Sequence, residues 1–345
     1  PVLALPQTRP PDPARVEQEL AQALQGRARV FALFWATDQA DPHGLVEGFL
    51  DRSAFKGLES WQGNVRFVIY RLANNLTCQT LAGGPRFDDF AALDAICTPE
   101  AVRVAPGEVL PVGLRWRALA ATERRYKVTL QLLDQRNQVV AQRDAEPVGG
   151  SRPTDDWTAG EIIADNHGIY VPPGAPPGAY RLILALYDSQ TGQRLPVSGG
   201  EDHWSLGAVE VARSEQPLPP EIAPMQHRLN RRLGPVILAG YDLYKRGYAH
   251  APRTPLVPGD ALHVTLYWLA PDPLPEDWPD DLTFTLELGE QRITAPLAGG
   301  AFPTGSWRAG DLVRGEFDLM MEQNKRKLRL QVAGQDLRLG PIPTP

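Results

Sequence analysis

The chain has 345 residues, 43% of them apolar and 22% charged, with a net charge of −6. This length supports two or three domains, each with its own core, and the composition is that of folded protein rather than a disordered chain. Lys and Arg are scattered with no basic stripe, which argues against nucleic acid as a partner. Pro (34) and Gly (31) recur without a collagen period and read as the punctuation of many short strands. No window approaches the roughly 20 consecutive apolar residues that cross a bilayer, and no basic-then-apolar leader opens the chain. It starts at "PVLALPQTRPP" without Met, which reads as a segment of something longer.

The first 73 residues differ in texture from the rest. In "DPARVEQELAQALQG", Val16, Leu20, Ala23 and Leu24 recur at helical spacing with Gly26 as a stop. "ARVFALFWA" (28–36) reads as a buried strand. In "DPHGLVEGFLDRSAF", Asp41 is placed as an N-cap, Pro42 at the first helical position, and Leu45, Phe49 and Leu50 on one face. "NVRFVIYRL" (64–72) is a second strand. Such a strand–helix–strand unit is too small to bury both sides of its strands and must pack on something else.

From residue 74 the pattern changes to strands with closely spaced turn signals. "VLPVGLRWRA" (109–118) alternates, with Val112, Leu114 and Trp116 on one face and Arg115 and Arg117 on the other. "YKVTLQLLD", "QVVAQRD", "YRLILALYD" and "LGAVEV" continue the series, as expected of a two-sheet antiparallel β-sandwich. After the proline-rich linker 212–224 the grammar begins again. "PGDALHVTLYWLA" (258–270) matches "PGEVLPVGLRWRA" (106–118) without a gap, and "RPTDDWTAGE" (152–161) returns as "FPTGSWRAGD" (302–311). The second copy lacks the "LLDQRNQVVAQRD" hairpin, having "LELGEQRITAPL" instead. The expected fold is mainly β: a small α/β unit (1–73), then two tandem immunoglobulin-like or carbohydrate-binding-module-like sandwiches, 74–213 and 214–345, the second an internal repeat of the first.

Trp116 and Trp268 read as the structural core of the two sandwiches. Trp157 and Trp307, with the acids Glu161 and Asp311, sit in turn-rich segments. They are either ligand-binding residues, an indole stacking on a sugar ring, or a structural corner in which the indole covers the core and the acid accepts backbone N–H bonds. Retention of Pro, Thr, Trp, Gly and an acid in both copies favours the corner. Cys78 and Cys97 either form one bridge between neighbouring strands or are two buried thiols. The histidines (43, 167, 203, 227, 250, 263) form no metal-spaced pair. "ADNHG" and "EDH" carry oxygen ligands of the kind calcium takes but have the composition of solvated loops, so no metal is assigned. No nucleophile elbow, distinctive carboxylate pair or phosphate-cradling glycine loop stands out, so no catalytic residue and no cofactor are expected in this segment.

Three stretches carry a resemblance. Residues 29–72, 106–163 and 180–197 resemble the region after the membrane-spanning part, and the extracytoplasmic β-domains, of bacterial glycosyltransferases of the dolichyl-phosphate-mannose protein mannosyltransferase type. The Asp-Pro-x-Gly-Leu-Val helix, the Ala-Phe-Lys step and the Trp-x-Gly-Asn-Val-Arg strand carry it (41–46, 54–56 and 61–66). The resemblance implies a membrane enzyme that transfers sugar from a polyprenyl-phosphate donor, with its catalytic acids in a loop not represented here. It places this segment on the extracytoplasmic face, attached to the membrane only through a missing N-terminal region. A non-catalytic role is expected, with glycan or acceptor as the partner; the alternative is a purely structural or protein-interaction module without a ligand.

Overall fold

The structure is a computed structural model that describes residues 2–249, 251–323 and 327–344. The chain is mainly β, 45% strand against 11% helix, with a small helical N-terminal unit ahead of several antiparallel sheets. It divides into two compact units, Pro1–Val171 with Ala179–Glu210, and Pro172–Gly178 with Val211–Pro345. The connection Pro172–Gly178 thus groups with the second unit, although the strands it joins belong to the first sandwich.

In the N-terminal part, helix α1 (Pro13–Leu24) is capped by Asp12, whose side chain accepts from Arg15 N, and buries Val16 and Leu20. Strand β1 (Arg29–Phe34) and the short helix α2 (Thr37–Ala40) lead into α3 (Leu45–Ser53). Helix α3 starts three residues later than the expected Pro42, because Gly44 takes a left-handed φ of 62° at its N-cap. Asp41 still serves the first turn, its two carboxylate oxygens accepting from Leu45 N and Val46 N at 2.9 Å each. A strand absent from the sequence reading, β2 (Phe55–Gln62), pairs with β3 (Val65–Arg71), giving a three-stranded sheet in the order β1-β3-β2. One face packs on α3 through Phe34, Leu50, Ala54, Val68 and Tyr70. The expectation that 28–36 is a buried strand is corrected: β1 alternates, leaving Phe31 60% and Leu33 70% exposed.

The first sandwich contains β4 (Leu76–Thr80), β5 (Arg86–Phe87), β6 (Ala91–Pro99), β7 (Arg103–Val104), β8 (Val109–Ala118), β9 (Tyr126–Leu133), β10 (Val139–Ala145), β11 (Ile162–Tyr170), β12 (Gly178–Asp188) and β13 (Trp204–Val211). Its sheets run β11-β8-β6-β4 and β10-β9-β12-β13-β7. The second contains β14 (His227–Leu233), β15 (Val236–Lys245), β16 (Ala261–Leu269), β17 (Thr283–Leu288), β18 (Gln291–Pro296), β19 (Leu312–Met320), β20 (Leu328–Val332) and β21 (Gln335–Leu339). Its sheets run β14-β15-β16-β19 and β18-β17-β20-β21. Strand for strand this is the first sandwich's order without β5 and β7. The hairpin expected to be missing from the second copy is present: β17 and β18 pair from Thr283↔Pro296 to Leu288↔Gln291 and close on Gly289–Glu290 alone. What the copy lacks is the longer loop of 134–138.

Cys78 and Cys97, facing each other across β4 and β6, are joined in a disulfide. The α/β unit abuts the first sandwich where backbones approach closely. A Cβ on Gly57 would lie 2.4 Å from Val109 Cγ2, and one on Gly168 would lie 2.8 Å from the Lys56 carbonyl oxygen. Among the described residues no helix is long and apolar enough to cross a membrane.

Trp116 and Trp268 are both fully buried. Trp116 meets Phe87 edge-on at 5.3 Å, and Trp268 lies 6.0 Å from Phe284. Truncating either side chain opens a cavity at the middle of a sandwich, so Trp116→Ala and Trp268→Ala are each expected to cost about 3–5 kcal/mol in urea denaturation. A loss below about 1 kcal/mol would contradict their central place.

Candidate functional site

The repeated Pro-Thr-x-x-Trp phrase forms the same corner twice. Thr154 Oγ1 accepts from Tyr126 N and donates to Arg124 O, both at 2.8 Å. Thr304 Oγ1 likewise accepts from Leu282 N at 2.9 Å and donates to Pro279 O at 2.8 Å. The indole N–H of Trp157 donates to Arg152 O at 3.1 Å, and that of Trp307 to Phe302 O at 3.0 Å. The glycines take left-handed φ values, 86° at Gly160 and 75° at Gly310, and their N–H groups close onto Ala118 O and Ala270 O. The acid then caps the turn: Glu161 accepts from Thr158 N at 3.1 Å, and Asp311 from Arg308 N at 2.7 Å.

This geometry places both indoles inside the protein. Trp157 is 1% and Trp307 3% exposed, Trp157 stacking on Phe90 at 5.4 Å and Trp307 packing beside Trp278 at 6.2 Å. An indole with both faces covered has none to offer a sugar ring. The acids are also engaged, Glu161 with Arg152 and Asp311 with Arg213 of the linker. Each threonine hydroxyl satisfies a buried backbone N–H across the corner. Thr154→Val, equal in shape but without the hydroxyl, is therefore expected to cost about 1–3 kcal/mol in urea melts; no measurable loss would remove the corner's structural role.

The histidines are dispersed. His43 is exposed, His203 pairs with Asp202 at 2.7 Å, His227 stacks on Tyr241 at 4.6 Å, and His263 pairs with Asp318 at 2.8 Å. His250 lies outside the described residues. The "ADNHG" segment does not form a solvated loop: it lies within β11, and Asp165 and His167 point into the sandwich, 0% and 1% exposed. Asp165 binds His167 Nε2 at 2.7 Å and accepts from Trp116 Nε1 at 3.2 Å and Val148 N at 2.7 Å. Among the described residues no three or more His, Cys, Asp or Glu side chains are arranged to hold a metal ion.

A dense charge cluster lies in the α/β unit; the Ala-Phe-Lys step and the Trp-x-Gly-Asn-Val-Arg strand supply its cations, Lys56 and Arg66, while its acids Glu47, Asp51 and Glu59 fall outside those stretches. Lys56, which β2 turns toward α3, is 6% exposed; its Nζ donates to Glu47 Oε1 at 2.8 Å and lies 2.9 Å from Asp51 Oδ1. The Tyr70 hydroxyl donates to Asp51 Oδ1 at 3.0 Å. Arg66 pairs with Glu47 and, at 3.1 Å, with Glu59, while its guanidinium lies 4.7 Å above the Phe34 ring. Burial by itself would raise the Glu47 carboxyl, but the hydrogen bonds and charges of Arg66 and Lys56 outweigh it and hold the group below the usual carboxylate range. At Asp51 the balance reverses, and burial pushes the carboxyl up despite Lys56.

Glu47 also borders a cleft of about 300 Å³ with Phe34, Thr37, Asp38 and Asp41. Asp41 is committed to the α3 N-terminus and Glu47 to its cations, leaving Asp38 as the cleft's outward carboxylate. This arrangement supports a polar contact rather than a pair of carboxylates sharing acid and base roles.

Beside this cluster, the other face of the same sheet is covered at Ile69 of β3, which is buried, but is open along β1. Phe31, Leu33 and Trp35 are 60%, 70% and 64% exposed, and Phe31 stacks on Phe67 at 6.1 Å. A period-two alternation of apolar and polar side chains over 29–34 would have been the signal. It was masked because the residues between, Val30, Ala32 and Phe34, are apolar too.

Because Glu47 has a lowered pKa in the folded state, its contribution to stability is complete above the usual carboxylate range and is lost as pH falls through and below that range. Glu47→Gln is expected to lower stability at pH 7 by about 1–2 kcal/mol, a paired charge discounted for partial exposure. The deficit should shrink in urea melts as pH approaches 3, and a deficit independent of pH would contradict the assignment. No protein-family model matches the chain, and no curated protein matches it either.

Proposed function

We propose that this chain is a non-catalytic, extracytoplasmic region of a membrane glycosyltransferase that uses polyprenyl-phosphate sugars, and that its α/β unit docks it onto an apolar surface of that enzyme. The observation that carries the docking role is the open sheet face bearing Phe31, Leu33 and Trp35. Apolar side chains gathered on one exposed face mark an interaction surface more often than scattered ones do. The resemblance of 29–72, 106–163 and 180–197 supplies the enzyme class, and the Cys78–Cys97 bond supports an oxidising compartment. The commitment of the corner acids and cluster carboxylates to local partners supports a role without catalysis.

A second reading, contact with a glycan or acceptor, is favoured by one specific observation. The α/β unit combines the cleft beside Asp38 with two exposed indoles, Trp35 and Trp61, at 64% and 62%.

The reading frame upstream of this chain tests the enzyme class: a series of hydrophobic helices supports it, and a frame without them overturns it. Docking is tested by capture of the membrane-embedded remainder with the tagged 345-residue chain. Trp35→Ser combined with Phe67→Ser is expected to reduce capture at least tenfold, and undiminished capture would move docking to another surface. Binding on a glycan array that is lost with Trp35→Ser or Trp61→Ser would favour the second reading.

A further inference from the structure

β1 is an edge strand of its sheet, and its backbone pattern shows what the edge offers. Leu72 N donates to Ala28 O at 2.9 Å, just before the strand begins. In an antiparallel ladder, hydrogen-bonded and non-hydrogen-bonded pairs alternate, so the pairs Val30↔Tyr70, Ala32↔Val68 and Phe34↔Arg66 are the bonded ones. The N–H and C=O groups of Arg29, Phe31 and Leu33 therefore point away from β3. No described strand pairs with that side.

Most other edges among the described strands are guarded in the ways that edge strands usually are. β2 has a bulge and the buried Lys56, β10 and β14 have bulges, β18 ends in Pro296, and β21 carries Asp336 and Arg338. β4 is tied to β6 by the disulfide, and β11 lies against β2. β1 has no proline, no bulge and no charge after Arg29. An unguarded apolar edge is a template for another strand.

The strand complements itself. With a two-fold axis at Ala32, Phe31 faces Leu33 of a second copy and Arg29 falls opposite Trp35, one residue past the end of the strand, so a cation meets an indole and no like charges oppose. The outward-pointing groups at 29, 31 and 33 fall in bonded pairs in this register. We propose that β1 pairs antiparallel with β1 of a second copy of this chain, joining two three-stranded sheets into one of six strands. The occupant is a second copy because, about this axis, each exposed apolar side chain of β1 meets another and no like charges oppose, which an isologous contact needs. One short strand per subunit lies at the low end of stable interfaces, so the dimer is reversible. The pairing uses the backbone edge and leaves the sheet face available for docking; it does not depend on the proposed enzyme class.

The test is sedimentation velocity on the 345-residue chain over about 1–200 µM, with two double variants at exposed side chains. In Phe31→Lys with Leu33→Lys, the proposed register sets lysine against lysine twice, and a monomer is expected across the range. In Phe31→Glu with Leu33→Lys it sets glutamate against lysine twice, and the dimer is expected to return. Both variants remove the same apolar side chains, so a difference between them reports the register rather than the apolarity of the face. A wild-type chain that stays monomeric, or two variants that behave alike, would overturn the proposal. Should either variant fail to fold, hydrogen exchange on the wild type decides: the amides of Arg29, Phe31 and Leu33 gain protection with concentration if the edge pairs, and show no change if it does not.

Discussion

A buried indole carries one N–H that must find an acceptor where there is no water, and much of this protein is arranged around two such groups. In the first sandwich Trp116 finds Asp165, a carboxylate inside the core. In the second, Trp268 donates to the main-chain carbonyl of Leu297 at 3.1 Å. The strand positions correspond: Asp165 lies opposite Leu114 as Gly315 lies opposite Leu266, and His167 opposite Val112 as Phe317 opposite Val264. A Cβ on Gly315 would stand 2.2 Å from the Leu297 oxygen, so the carbonyl can approach the indole only if that position is glycine. The two copies thus meet one requirement by exchanging a polar pair, Asp and His, for a small residue and an aromatic one.

That choice reaches beyond the core of the first copy. Asp165 also accepts from Val148 N, which holds a turn in which Val148 and Gly149 have φ values of 54° and 62°. Gly149 lies against Asp51 so closely that a Cβ there would stand 2.2 Å from its carboxylate. Asp51 in turn binds Lys56 and Tyr70. A continuous series of contacts therefore runs from the central indole to the charge cluster of the α/β unit. In the second copy Gly315 and Phe317 stand at the positions of Asp165 and His167, so the carboxylate that begins this series is absent there.

The duplicated architecture was legible because it rests on local rules that act at fixed spacing. Alternation in 109–118 and 258–270 marks central strands, and a Pro-Thr-x-x-Trp corner needs the same hydroxyl, indole and glycine each time it is built. Less legible were features that depend on partners distant in the chain. β2 hides within "FKGLESWQ", where Lys56 and Glu59 break the apolar run, yet Lys56 is buried because Glu47 and Asp51 on α3 meet it. "ADNHG" has the composition of a loop and is a core strand, since one indole supplies what its acid needs. In the reverse sense "VFALF" has the composition of a buried strand and lies half in the open, because nothing described covers β1 on that side of the sheet.

The disulfide has a mechanical consequence. It joins β4, which follows the α/β unit within a few residues, to β6 in the interior of the same sheet. Tension applied to the chain just before Leu76 would meet the covalent link at Cys78, two residues into β4. From there the load would pass into β6, so β4 could not unzip from β6 beyond that point one hydrogen bond at a time.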